Sequence, residues 1–189
     1  MAYDLKNVFY LDTKATIAAG TANGGSAQLD LSAYIDPIAR GRTKGTGLAI
    51  YKAHFITSQP GNAEPIDDAE AGTFRSALIA GAGLGDVATG GITATSSFVG
   101  QYSSLVVSMY DFYGPKSMIA NANSPATMYN DLLAPSKEVP YVVVRDNVCL
   151  VYEVGDNMTS ATELFVRLEC AQVSLDQATL NQLLRTQTV

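Results

Sequence analysis

Residues 140–173 read PYVVVRDNVCLVYEVGDNMTSATELFVRLECAQV, and their reading decides the fold. Two β-branched runs, YVVV and VCLVYEV, flank Asp146-Asn147, which has the composition of a tight hairpin whose central residues take φ > 0. After the Gly-Asp-Asn turn at 155–157 the pattern alternates cleanly. Leu164, Val166, Leu168 and Cys170 share one face, and Glu163, Arg167 and Glu169 share the other, so one face is core and one is wet. Three consecutive antiparallel strands are expected, enough for a sheet that stands as a folding unit.

Working outward, the same texture recurs. Residues 104–113 (SLVVSMYDFY) form a strand rich in β-branched and aromatic residues, closed by Gly114-Pro115. Residues 74–80 form another. Residues 47–58 (GLAIYKAHFITS) form the longest strand of the first half, and its phase slips. Leu48 and Ile50 share one parity, while Tyr51, Ala53 and Phe55 share the other, so either both faces are covered or a bulge turns the strand midway. Residues 28–31 alternate as a short strand, and residues 8–11 and 13–17 form a first strand or pair of strands. Residues 92–99 (ITATSSFV) read as one more.

Two segments read as helical. Ser124 before Pro125 is an N-cap followed by a first-turn proline, which predicts about two turns ending near Leu133, before Pro135. At the C-terminus, Ser174 and Gln177 make a capping box. Leu180, Leu183, Leu184 and Gln187 then form a narrow apolar stripe, giving a helix over 175–186 that lies over an open end of the domain or docks on a neighbour.

The sum is eight to ten short strands, spaced by turns, with small helices and no fixed repeat. That pattern defines an all-β sandwich or barrel and suits a single eight-stranded antiparallel jelly roll with a short C-terminal helix. At 189 residues the chain reads as one domain, 1–189, with an N-terminal arm and first strand over 1–26 and a C-terminal helix and tail over 174–189.

Composition narrows the function. Hydrophobic content of 47% is that of a folded globule. With 16% charged residues and a net charge of −6, the chain lacks the clustered cations of a general nucleic-acid binder. Asp4 and Lys6 interrupt any signal-peptide pattern, and no apolar run reaches the roughly 20 residues that cross a bilayer. Synthesis in the cytoplasm is expected, and with it free, buried thiols at Cys149 and Cys170 in preference to a cross-strand disulfide.

The one basic cluster is RGRTKG, with Arg40, Arg42 and Lys44. It reads as a solvated loop, or functionally as a contact with an acidic partner surface or a phosphate. Residues 60–72 (PGNAEPIDDAEAG) place Glu64, Asp67, Asp68 and Glu70 close together without EF-hand spacing, so an exposed connector is preferred to a calcium loop. The Gly-rich stretch 81–91 has G-x-G-x-G spacing and no following Lys-Ser or Lys-Thr, which rules out a nucleotide loop.

Catalytic chemistry finds little support. His54 is the single histidine, too few for a cupin-type metal site, and no G-x-S-x-G elbow presents a serine to it. A carboxylate pair for glycoside cleavage could come from Asp111, Glu153, Glu163 and Glu169, but Glu163 and Glu169 read more simply as a solvated face. Asn157-Met158-Thr159 fits a glycosylation sequon that means little without a secretion signal. No catalytic, cofactor or metal residue is assigned, and the chain is expected not to be an enzyme.

The strands in QLDLSAYID, GLAIYKAHFITS, SLVVSMYDFY and VVVRDNVCLVYEV, with the closing strand TELFVRLECAQV, resemble those of single jelly-roll capsid proteins of icosahedral viruses. Because the arm MAYDLKN carries no strongly basic run, the chain is most similar to small coat proteins of viruses whose capsid encloses an internal membrane. The resemblance implies a structural virion protein that self-assembles into capsomers, with copies of itself and other capsid proteins as partners and an internal membrane beneath. It implies no cofactor and no sequence-specific nucleic-acid contact. Subunit contacts would fall on Arg40, Arg42 and Lys44 and on Leu180, Leu183 and Leu184. Other classes remain open. A polymerising surface or appendage subunit would need an export signal or strand exchange through an edge strand such as 13–18. A sugar-binding sandwich would need an exposed aromatic platform.

Overall fold

The computed structural model describes residues 8–20, 24–36, 44–61, 64–66, 69–80, 105–114, 129–132 and 135–187. They form β1 (Phe9–Ile17), β2 (Gly25–Asp30), β3 (Lys44–Ser58), β4 (Thr73–Ala80), β5 (Val106–Tyr113), β6 (Tyr129–Leu132), β7 (Tyr141–Val143), β8 (Asn147–Asp156), β9 (Thr162–Asp176) and α1 (Gln177–Thr186). Two sheets result, one ordered β1-β9-β3-β7 and the other β2-β8-β4-β5-β6.

The pairing is nested. β1 pairs with β9, β2 with β8, β3 with β7 and β4 with β5, all antiparallel, as if one long hairpin had been rolled into two layers. That is the jelly roll expected from the strand count, built from eight strands, with β6 added on the outer edge of β5.

The core lies between the layers. Leu164, Val166, Leu168 and Cys170 of β9 are all fully buried in it, as their alternation predicts. Phe55 from one sheet stacks on Tyr110 from the other at 5.3 Å between ring centroids, and Phe74 stacks on Phe112 at 4.9 Å.

The phase slip in β3 is a bulge. Register runs Ile50↔Cys170 and then Lys52↔Glu169, so Tyr51 is the extra residue. Before it, Leu48 and Ile50 face the core; after it, Ala53 and Phe55 do. Both faces of the first half are also covered. Ala49 and Tyr51 point out of the sandwich into a second cluster with Val173, Leu175 and Leu180, roofed by α1.

Several expectations are corrected. The three consecutive strands expected to make one sheet do not: the runs 141–144 and 148–154 are not hairpin partners, and β8 and β9 lie in different sheets. β7 joins β3 in one sheet and β8 joins β2 and β4 in the other, so 144–146 crosses between layers. Both runs are apolar on both faces, and that composition satisfies a covered strand in either layer as well as a hairpin. The crossing is tied down by main-chain bonding of Leu31 N–H to the Asp146 carbonyl at 2.6 Å. Residues 129–132 are strand, not helix, because the edge of β5 supplies ladder partners that outweigh a local capping signal. β9 runs on to Asp176, whose carboxylate accepts from Thr179 N–H at 2.8 Å, so the N-cap of α1 is Asp176 and not Ser174. The strand proposed over 92–99 and the Gly-rich stretch 81–91 lie outside the described residues.

Candidate interaction face

Half of the outward face of the β1-β9-β3 sheet is closed by α1; the other half faces solvent. There, alternation along three strands sets residues in rows: Tyr10, Glu169 and Lys52; then Asp12, Arg167 and His54; then Lys14, Phe165 and Ile56. Three pairs join charged side chains on this face. Lys14 Nζ meets Glu163 Oε1 at 2.9 Å, Arg167 meets Asp12 at 3.4 Å, and His54 Nε2 meets Glu169 Oε1 at 2.8 Å. Lys14 also lies 5.5 Å over the Phe165 ring. The hydrogen bond from His54, with the nearby charges of His54, Lys52 and Lys137, holds the Glu169 carboxyl below its ordinary range. Two large apolar side chains stand free on this face, Tyr10 at 62% and Ile56 at 55% exposure. Tyr10, Lys52, His54, Arg167 and Glu169 line an open depression that also reaches the core-side Phe55 and Tyr110.

The opposite sheet carries its own charged pair. Arg75 and Asp111 face each other across β4 and β5, and the guanidinium binds both carboxylate oxygens at 2.7 Å. That bond raises the Arg75 pKa further.

Three of the four carboxylates named for glycoside cleavage are each held by a basic side chain. Asp111 is held by Arg75, Glu163 by Lys14 and Glu169 by His54. Glu163 and Glu169, six residues apart on one strand, stand about 20 Å apart, well beyond the reach of a glycosidase pair. Among the described residues no cluster of His, Cys, Asp and Glu could hold a metal ion.

The loop over 60–72, of which 62–63 and 67–68 lie outside the described residues, is exposed at Pro60, Gly61, Glu64, Pro65 and Ala69, as expected of a connector, but Glu70 departs from that reading. It is fully buried, and its carboxylate accepts from the N–H groups of Gly72 and Thr159 at 2.7 Å and from the N–H and hydroxyl of Ser160 at 2.9 Å. It thereby staples the β3–β4 connection to the β8–β9 turn. No sequence signal marks it, because a carboxylate in an acidic loop looks solvated until the donors of Thr159 and Ser160, some ninety residues away in sequence, are brought to it.

The structure treats the expected contact residues differently. Lys44 is not in a loop; it opens β3 opposite Asp176 and lends its charge to that carboxylate. Arg40 and Arg42 lie outside the described residues. Leu180 is fully buried against the chain's own β3 and β9, so its side chain is spent within the domain, with Leu183 and Leu184 half-buried beside it. Both cysteines are free, Cys149 on the outward side of β8 and Cys170 between the sheets.

Fold and face together define the class: a jelly-roll β-sandwich with a charged, three-stranded outward face. No protein-family model matches the sequence, and no curated protein sequence matches it either.

Proposed function

We propose that this chain is a structural capsid subunit that self-assembles into capsomers of an icosahedral shell. The observation that supports this is the open half-face of β1, β9 and β3, where paired charges surround the exposed Tyr10 and Ile56. A face of that composition, mixed in charge with a few apolar anchors, suits a contact that must form reversibly with copies. On this reading the protein resides in the virion, against itself and other capsid proteins, over an internal membrane, and performs no catalysis.

A sugar-binding module is the second reading, favoured by one feature. Tyr10 offers an exposed ring beside Arg167 and Glu169, an aromatic platform flanked by hydrogen-bonding groups.

Light scattering at low and high salt, with negative-stain images of the same fractions, tests the first reading. Rings, capsomers or shells support it. A monomer at every concentration and salt, with binding on a glycan array that Tyr10→Ala abolishes, replaces it with the second.

A further inference from the structure

We propose that the outer edge of β1 (Phe9–Ile17) is a homodimer contact, formed antiparallel against β1 of a second copy about a two-fold axis through Thr13. The contact extends the assembly reading above and rests on it for its biological use, but it stands on its own geometry.

The two edges of the four-stranded sheet are unlike. At the β7 edge the Gln187 side chain occupies the main chain, accepting from Val144 N–H at 3.1 Å and donating to the Val142 carbonyl at 2.6 Å. At the β1 edge, among the described residues, no strand pairs with the side turned away from β9. The main-chain groups facing that side can be identified. The Phe9 carbonyl points to β9, where it accepts from Cys170 Sγ at 3.5 Å. Alternation then turns the N–H and C=O groups of Tyr10, Asp12, Lys14 and Thr16 outward. The Tyr152 hydroxyl, from the other sheet, reaches the Thr16 carbonyl at 3.1 Å on that side.

An edge strand of nine residues whose outward donors and acceptors, the Thr16 carbonyl apart, have no partner among the described residues is a template for another strand. Charged side chains usually protect such an edge, because a copy brings like charge against like. Here the outcome depends on register. With the axis through Thr13, Asp12 opposes the partner's Lys14 and Lys14 opposes the partner's Asp12, with Tyr10 opposite the partner's Thr16 at each end. A shift of two residues in total register either way sets Asp12 on the partner's Asp12 or Lys14 on the partner's Lys14. Only the first register both matches the outward main-chain groups and attracts. It also continues the pairs already in each sheet, giving the alternating series Arg167, Asp12, the partner's Lys14 and the partner's Glu163. Two four-stranded sheets thereby become one of eight strands.

The test uses the full chain: sedimentation equilibrium with amide hydrogen exchange, on the natural sequence, K14D, and the exchanged pair D12K/K14D. Circular dichroism establishes that each variant folds, as expected for exposed pairs that contribute little to the isolated subunit. A dimer is expected in which the amides of Tyr10, Asp12, Lys14 and Thr16 are protected. K14D sets like charges opposite each other twice and weakens association by about tenfold or more. D12K/K14D restores it. A monomer at all concentrations overturns the proposal, as does a dimer indifferent to K14D whose β1 amides exchange freely. Shells that form with β1 unprotected also overturn this contact while leaving the assembly reading standing. A β1 dimer that never grows larger supports the contact and counts against the shell.

Discussion

Gln187 stands in for a β-strand against Val142. Its carboxamide donates to the Val142 carbonyl at 2.6 Å and accepts from Val144 N–H at 3.1 Å, straddling Val143 as a residue of a parallel strand would. Its own carbonyl accepts from Arg145 Nε at 3.0 Å, and its N–H returns to Leu183 at the end of α1. One residue therefore ends the helix, closes the edge of β7 and anchors the crossing between layers.

Gln187→Ala should lower unfolding stability by about 1–3 kcal/mol, because it leaves buried main-chain groups of β7 without partners. Urea denaturation measures the loss, and hydrogen exchange at Val144 should accelerate with it. An unchanged midpoint with unchanged protection at Val144 would show that the edge does not depend on this side chain.

Leu180→Ala should cost about 2–5 kcal/mol, the range for a fully buried leucine whose site cannot collapse. The Leu180 side chain also packs where a Cβ on Gly45 would sit, 2.9 Å from it, so Gly45→Ala should cost stability by overpacking the same seat. Deleting the helix is accordingly expected to impair folding as well as assembly. A truncated chain as stable as the full one in thermal melts would reverse that expectation.

Much of this fold is legible in the sequence, and the failures share a cause. Periodicity exposes what a strand does along its own length: the buried parity of Leu164 to Cys170 and the slip at Tyr51 both follow from side-chain direction alone. Periodicity does not say which strand lies beside it. The runs around Asp146 are apolar on both faces, so their pairing depends on distant elements, and they part into separate sheets. Asp176 and Glu70 were invisible as a cap and a buried staple for the same reason. An acidic residue shows its role only once the N–H groups it serves are in place. The charge rows on β1, β9 and β3 lie between, since each strand's wet face can be read but their alignment cannot.

Glu70 makes stability acid-sensitive. Burial alone would raise its pKa, but the bonds from Thr159, Gly72 and Ser160 outweigh burial and hold the carboxyl below its ordinary 4.5. A pKa depressed in the folded state contributes stability above the unfolded value, and that contribution fades as pH falls through the folded one. Glu70→Gln places an amide donor among donors and should cost about 2–4 kcal/mol near neutral pH. It should also flatten the fall in stability below pH 4.5. Equal pH profiles of melting temperature in the two proteins would show that Glu70 is not the titrating staple.

The cysteines should be inert while the domain is folded. Burial pushes Cys170 up to about 12 and raises Cys149 as well, so neither supplies thiolate near neutral pH. They also occupy opposite sides of separate sheets, which forbids a bond between them without unfolding. A disulfide-exchange reagent should therefore label neither thiol in buffer and both in denaturant, with labelling in between paced by opening of the sandwich. Because Cys149 faces out of the sandwich and Cys170 into its core, Cys149 should react first under partial denaturation. Cys170 labelled ahead of Cys149 would mean that the layers part before the outward face of β8 is uncovered, the reverse of the order that their positions set.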